Sequence, residues 1–287
     1  MKLIRAINTT TETPFIYVSM DTAEGTGCVG HWIWECALFL PYIKDIQKKI
    51  TIPLKILLNE KRRYKTNILS DFGFYEDDII YSTRMEKDGN TWREYYVIPV
   101  ENEYMIYAPK FFYYWKTSIN TAEFFNALER FREFYISKLQ PITKTTSIIY
   151  VARSRLENYA TNKREFINFD DFCAMLVKRR VDILNVDTLS SLTPQFQAIL
   201  NAKTIIVEMG SAFQINAAFI ASNSHIIIIN DICEPNYHVC SWSFIQIYKK
   251  LMSLRNNTFE IFSRTKLGKS FHIDLTDFNL CIDKLYS

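Results

Sequence analysis

Glycine is scarce in this 287-residue chain: there are 7, and Gly25, Gly27 and Gly30 crowd into one short stretch. The isolated Gly210 therefore stands out as a place where the backbone must turn tightly or be approached closely. Charge of one sign is also lacking. Lys and Arg total 34 against 31 Asp and Glu, a net charge of +3, and they are scattered rather than striped, which gives no support to a nucleic-acid partner, and none is expected. The densest basic cluster, KKITIPLKILLNEKRRYK, reads as a solvated helix end and loop. No apolar run approaches the ~18 residues of a membrane span. The N-terminus MKLIRAINTTTETP lacks the apolar core of a signal peptide. No integral membrane segment is expected, and the setting is read as cytoplasmic.

The six cysteines (Cys28, Cys36, Cys173, Cys233, Cys240 and Cys281) form no CxxC pair. Mostly apolar neighbours make them reduced, buried small hydrophobes. Cys233, His238 and Cys240 lack a fourth ligand and regular spacing for zinc. Asp77-Asp78 is adjacent rather than a DxD clamp, and the DFG at 71–73 has no kinase catalytic loop around it. No metal site is expected.

What is present is an ordinary globular composition, 48% hydrophobic and 23% charged, at a length for one large or two modest domains. PFIYVSM (14–20), IPLKILL (52–58) and DDIIYS (77–82) read as strands. Helices are expected from about His31 to Gln47, with Ile33, Ala37, Leu40 and Ile43 inward, and over KTNILSDFGF. Alternation of strand and helix predicts a parallel sheet with right-handed crossovers. WREYYVIPV and EYMIYAP add two strands. AEFFNALERFREFYISKL (122–139) is an amphipathic helix read as the junction to a second sheet. That sheet starts at SIIYV, continues through TIIVE (204–208) and IIIIND (226–231), and ends with SFHIDL and a C-terminal helix. The expected architecture is α/β, with two Rossmann-like domains facing a cleft. The expected bounds are a first domain over 1–120, a linker helix over 121–146, and a second domain over 147–287.

Two strand ends in the second half carry chemistry. SIIYV empties into Ala152-Arg153-Ser154-Arg155, and TIIVE into Met209-Gly210-Ser211 ahead of a helix. Parallel α/β sheets put ligands at the carboxyl edge of their strands, beside helix N-termini. Guanidinium forks bind phosphate oxygens in bidentate fashion. Gly210 permits the turn and Ser211 can cap the helix. Together they describe a diphosphate site, with one of Arg153 and Arg155 facing it and a surface cation or plain structural turn as the competing readings. Glu208 holds a sugar hydroxyl or is a solvated edge residue.

In the first half, Gly25-Thr26-Gly27-Cys28-Val29-Gly30 matches GxGxxG. A dinucleotide fingerprint should follow its strand at once and open a helix, whereas Asp21 to Glu24 intervene here. Glu24, Gly25 and Gly27 are read as an acceptor-side loop, and nicotinamide or S-adenosylmethionine binding by this loop is the alternative. His31 and Glu35 lie one helical turn apart, a pairing suited to a general base. Glu24 and Asp21 are next in line for that role. A capping His and a solvated Glu is the bland reading. Trp32 and Trp34 offer either a sugar-stacking face or core packing.

The order IIYVARSR, NKREFINFDDF, LSSLTPQFQAILNAKTIIVEMGSAFQINAAF, with HWIWE in the first half, resembles glycosyltransferase family 61. The matching positions are Arg153 or Arg155, Arg164, Asn168, Gln195, Ala202, Gly210, Ser211, Asn216 and Phe219. The chain departs from the pattern at Phe169, Met209 and IIIIND. The resemblance implies an inverting, metal-independent transferase of the GT-B type, with an acceptor-side domain over 1–120, a nucleotide-sugar domain over 147–287, and no cofactor beyond its nucleotide-sugar substrate. It implies a glycan or glycoconjugate acceptor, diphosphate binding by Arg153, Arg155, Gly210 and Ser211, and donor contacts from Glu208, Gln195 and Asn216. A homodimer is left open, as is a catalytically inert carbohydrate-binding relative.

Overall fold

A computed structural model describes residues 3–5, 16–20, 29–58, 60–81, 83–88, 91–98, 104–107, 121–141, 147–152, 166–186, 191–231, 239–267 and 270–286. The chain divides into two compact units, Met1–Ser137 and Lys138–Ser287.

In the first unit the elements run β1 (Leu3–Arg5), β2 (Ile16–Ser19), α1 (Val29–Glu35), α2 (Leu40–Gln47), β3 (Leu54–Leu58), α3 (Arg63–Asp71), β4 (Ile79–Tyr81), β5 (Thr83–Asp88), β6 (Thr91–Ile98), β7 (Tyr104–Tyr107) and α4 (Thr121–Ile136). Among the described residues, four strands form a parallel sheet in the order β4-β3-β2-β7. Buried runs such as Leu54, Ile56, Leu57 and Leu58 fit a sheet covered on both faces.

One expectation is corrected here. The helix expected from His31 to Gln47 is broken: a 3₁₀ turn, Ala37–Phe39, separates α1 from α2. Pro41 sits in the first turn of α2 and can give no N–H to a continuous helix. WREYYVIPV does not join the parallel sheet. It forms β6, paired antiparallel to β5 and parallel to β1 in a separate sheet. The charged run TRMEKD gives no apolar alternation by which β5 could be read in advance. The helix α4 packs within the first unit. Phe131 and Phe134 stack on Phe72, and the Tyr135 hydroxyl donates to Asp71 Oδ2 at 2.8 Å.

The second unit holds β8 (Ile148–Ala152), α5 (Phe169–Lys178), β9 (Val181–Asn185), α6 (Thr193–Asn201), β10 (Thr204–Glu208), α7 (Ser211–Asn216), β11 (His225–Asp231), α8 (Val239–Leu254), β12 (Thr258–Leu267), β13 (Ser270–His272) and α9 (Leu275–Tyr286). Its sheet runs β13-β12-β11-β10-β8-β9 among the described residues, all parallel except the edge strand β13. TIIVE and IIIIND are central strands, buried on both faces as their unbroken apolar runs require. On one face Tyr150, Ile206, Ile227 and Ile229 pack with Phe172 and Leu176 of α5 and Phe278 and Ile282 of α9. The strand β12 was not anticipated: TFEIFSRTKL mixes charge with apolar residues, yet it pairs with β11 from Thr258 to Arg264 and with β13 from Thr265 to Leu267.

Cys36 and Cys281 are buried and Cys173 is half-buried, all as free thiols. Burial, and then Glu260 accepting from the Cys281 thiol at 3.1 Å, pushes that thiol up to about 12, so it stays protonated and inert.

Candidate active site

Strand order decides where a parallel sheet binds. From β8 the chain passes through α5 to β9 on one side, then through α6 to β10 on the other. The direction of winding reverses at β8, so the topological switch point lies between β8 and β10, where α/β sheets form their ligand crevice. These two strands are hydrogen-bonded neighbours with Val151 opposite Val207. The two strands therefore end side by side, at Ala152 and Glu208. Arg153 and Arg155 themselves lie outside the described residues.

Gly210 has φ +124° and ψ −148°, a combination open essentially only to glycine. Among the described residues, a β-carbon added there would meet nothing within 4 Å. Met209 N–H donates to the Ile229 carbonyl at 2.9 Å, and Gln214 N–H to the Gly210 carbonyl at 3.0 Å, which fixes the turn. One expectation is corrected: Gly210, not Ser211, occupies the N-cap of α7, and Ser211 is its first helical residue.

Glu208 ends β10 with its side chain 14% exposed. The Tyr150 hydroxyl donates to its Oε1 at 3.1 Å, and Arg264 Nη1 lies 3.5 Å from Oε2. Burial first, and then the Glu208 carboxylate, pushes the Tyr150 phenol well above the ordinary tyrosine value, so it remains a donor. The Arg264 side chain is only 2% exposed and lies over the Phe271 ring at 3.8 Å. Glu208 is thus a braced carboxylate rather than a loose edge residue. Neither Tyr150 nor Arg264 was singled out from sequence, because only the strand order makes them neighbours of Glu208.

Gln195 and Asn216 are 2% and 1% exposed. The Gln195 Nε2 donates to Asn216 Oδ1 at 2.6 Å, tying α6 to the helix behind Gly210. At that burial neither presents surface to a sugar. Asn168 likewise holds the fold: its Nδ2 donates to the Ile273 carbonyl at 2.8 Å and its Oδ1 accepts from the Ile273 N–H at 3.1 Å. Phe169 packs edge-on against Phe166, Ala202 is buried, and Phe219 stacks on Phe196 with centroids 3.6 Å apart.

In the first unit the order β4-β3-β2-β7 also reverses, between β2 and β7. The loop with Glu24, Gly25 and Gly27 follows β2 and lies outside the described residues, while Gly30 opens α1. His31 and Glu35 both fall on α1. Glu35 is 3% exposed and engaged by neighbours, not solvated. Trp32 and Trp34 are fully buried against Tyr64 and Phe124, which makes them core rather than a sugar platform.

The family model for Glycosyltransferase 61 matches residues 29–227, more than half of the chain. The chain belongs to glycosyltransferase family 61. Glycosyl transfer is therefore its class of activity, with a sugar donor and a glycan acceptor as its general partners. No curated protein matches the sequence. Among solved structures, E. coli heptosyltransferase WaaC with ADP is similar at 12% identity over 84% of this chain and 99% of that chain, with a TM-score of 0.31. A structure of CD38, from work on its catalytic mechanism, is similar at 13% identity over 46% of this chain and 71% of that chain, with a TM-score of 0.24. At such TM-scores neither likeness bears on the fold or chemistry here. Among the described residues, no group of three or more His, Cys, Asp and Glu is placed to hold a metal, and no helix is long and apolar enough to cross a membrane.

Proposed function

We propose that this family 61 member is an inverting, metal-independent glycosyltransferase of the GT-B type, working in the cytoplasm. Its second unit would carry a nucleotide-sugar donor and its first unit a glycan acceptor. The observation that carries the reading is the switch point between β8 and β10. It puts Ala152, the residue before Arg153, and Glu208, two residues before Gly210, at the ends of neighbouring strands, which supports a diphosphate site at that edge.

In the proposed reaction His31, oriented by Glu35, takes the proton of an acceptor hydroxyl as its oxygen attacks the anomeric carbon. The new C–O bond forms as the bond to the diphosphate breaks. The nucleoside diphosphate leaves with the electron pair, and the anomeric configuration inverts. Arg153 or Arg155 and the amides around Gly210 would stabilise that leaving charge, a role worth about 3–4 kcal/mol per donor in comparable sites. Gln195 and Asn216 contribute indirectly, by locking the turn. The acceptor-side loop would contribute Glu24, Gly25 and Gly27.

Calorimetry with UDP, GDP and dTDP tests the site. At least one should bind the wild type, and Arg153→Ala or Arg155→Ala should weaken it by at least tenfold. Unchanged affinity in both variants would show the phosphates to be elsewhere. Turnover abolished by EDTA would refute the metal-free mechanism.

One observation favours a second reading. The glycine loop also follows a strand at a switch point, that of the first sheet, and its last glycine opens α1. S-adenosylmethionine or NAD raising the melting temperature, with no response to the diphosphates, would transfer the site to that loop.

A further inference from the structure

A carboxylate two residues before the Gly210 turn is at odds with an anionic donor. Glu208 and Gly210 are separated by at most about 7 Å of extended chain, close enough for Glu208 to repel phosphates docked in the crevice. The structure supplies the remedy from a strand that the sequence pattern did not reveal. Arg264 stands on β12 opposite Asp231 of β11. From there its side chain crosses the face of β11, lies on the Phe271 ring, and brings Nη1 to 3.5 Å from Glu208 Oε2. Tyr150 approaches Oε1 from the opposite strand, β8, at 3.1 Å.

Burying a guanidinium to 2% exposure is costly even beside a carboxylate, and such pairs are weak evidence for stability. This pair sits at the carboxyl edge of the sheet, next to the switch point. A carboxylate has about four acceptor positions. Tyr150 and Arg264 approach from the sheet, and the partly exposed edge of Glu208 is left for a hydroxyl donor.

Resting on the donor site proposed above, we propose that Arg264 is a positioning residue for donor binding. It cancels and aims the Glu208 carboxylate, so that Glu208 accepts a donor hydroxyl without expelling the neighbouring diphosphate.

The test uses the full chain. UDP, GDP and dTDP are titrated into the wild type, and the tightest binder is carried forward with its uncharged nucleoside. Arg264→Gln should weaken the diphosphate by about tenfold or more, as expected for one uncompensated charge a few ångströms from the phosphates. The nucleoside, read by competition, should change by less than about threefold, since it carries no charge to repel. Adding Glu208→Gln should restore diphosphate affinity to within about threefold of wild type, because the repelling charge is gone. Arg264→Lys should stay close to wild type.

Equal loss for diphosphate and nucleoside would reduce Arg264 to a structural role and overturn the proposal, as would unchanged diphosphate binding in Arg264→Gln. If Arg264→Gln does not fold, the uncharged double variant and Arg264→Lys decide: diphosphate binding lost in both, with the nucleoside retained, refutes charge compensation. A wild type that binds none of the three diphosphates is a separate outcome. It removes the donor site itself, and this proposal with it.

Discussion

Replacing Gly210 by alanine isolates backbone strain from every other effect. The residue sits at φ +124° and ψ −148°, and a β-carbon there would touch nothing within 4 Å. No steric clash with neighbours enters, so the cost is the conformation itself, about 1–3 kcal/mol for a side-chain-bearing residue in this region. Alanine also stiffens the unfolded chain, which offsets about 0.4–1 kcal/mol. The net loss is about 1–2 kcal/mol, or roughly 2–8 °C in the melting temperature of a unit this size. Asparagine should be no better than alanine. It tolerates the left-handed region near φ +57° and ψ +47°, as a general preference of about that geometry, and Gly210 is far from it. The assay is urea denaturation of wild type, Gly210→Ala and Gly210→Asn, with calorimetry of the bound diphosphate in parallel. A variant as stable as wild type would show that the turn does not need glycine. A destabilised variant with full diphosphate affinity would show that the turn is structural and its amides do not hold the phosphates.

Further outcomes follow from the same geometry. Asn168→Ala removes both partners of the Ile273 backbone and should cost about 1–3 kcal/mol in urea denaturation; a loss below about 0.5 kcal/mol, a typical surface effect, would mean the clasp is not made. His31→Ala should lower kcat by about a hundredfold or more while donor affinity holds, as expected for a lost general base; full turnover would pass the role to Glu24 or Asp21. The Arg130 hydrogen bond holds the exposed Asp45 below its usual 3.8. The small stability from that pair is present above pH 3.8 and is lost as pH falls through the lower folded value. The Asp45→Asn variant should accordingly show a shallower loss of stability with acid than wild type, and identical acid slopes would refute the pairing.

The fold was legible where burial writes long apolar runs. SIIYV, TIIVE, IIIIND and IPLKILL are all central or well-covered strands of parallel sheets. Legibility failed where pairing, not burial, defines the strand: TRMEKD and TFEIFSRTKL mix charged with apolar residues, and only their neighbours make them β5 and β12. The motif that resembles family 61 shows the same bias. Asn168 clasps Ile273, Gln195 bonds Asn216, Ala202 is buried and Phe219 stacks on Phe196. The described part of the signature is therefore mostly scaffold. Its residue types are fixed by hydrogen bonds and packing inside the second unit, which is why it bears on the fold of that unit more directly than on the chemistry.

The braced carboxylate shows why the rest could not be read from sequence. Tyr150, Glu208 and Arg264 belong to β8, β10 and β12, each separated by more than fifty residues. Adjacent strands stand about 4.8 Å apart. Had the sheet kept sequential order, β9 would lie between β8 and β10. Tyr150 would then be about 9.6 Å from the Glu208 strand rather than beside it. The observed order moves β9 to the edge and closes that gap, allowing the 3.1 Å hydrogen bond. The same reversal creates the switch point, the place where α/β sheets form ligand crevices. One topological choice thus produces both the switch point and the braced carboxylate beside it. No local pattern in TIIVE or SIIYV records that choice, because both strands would read identically in either order.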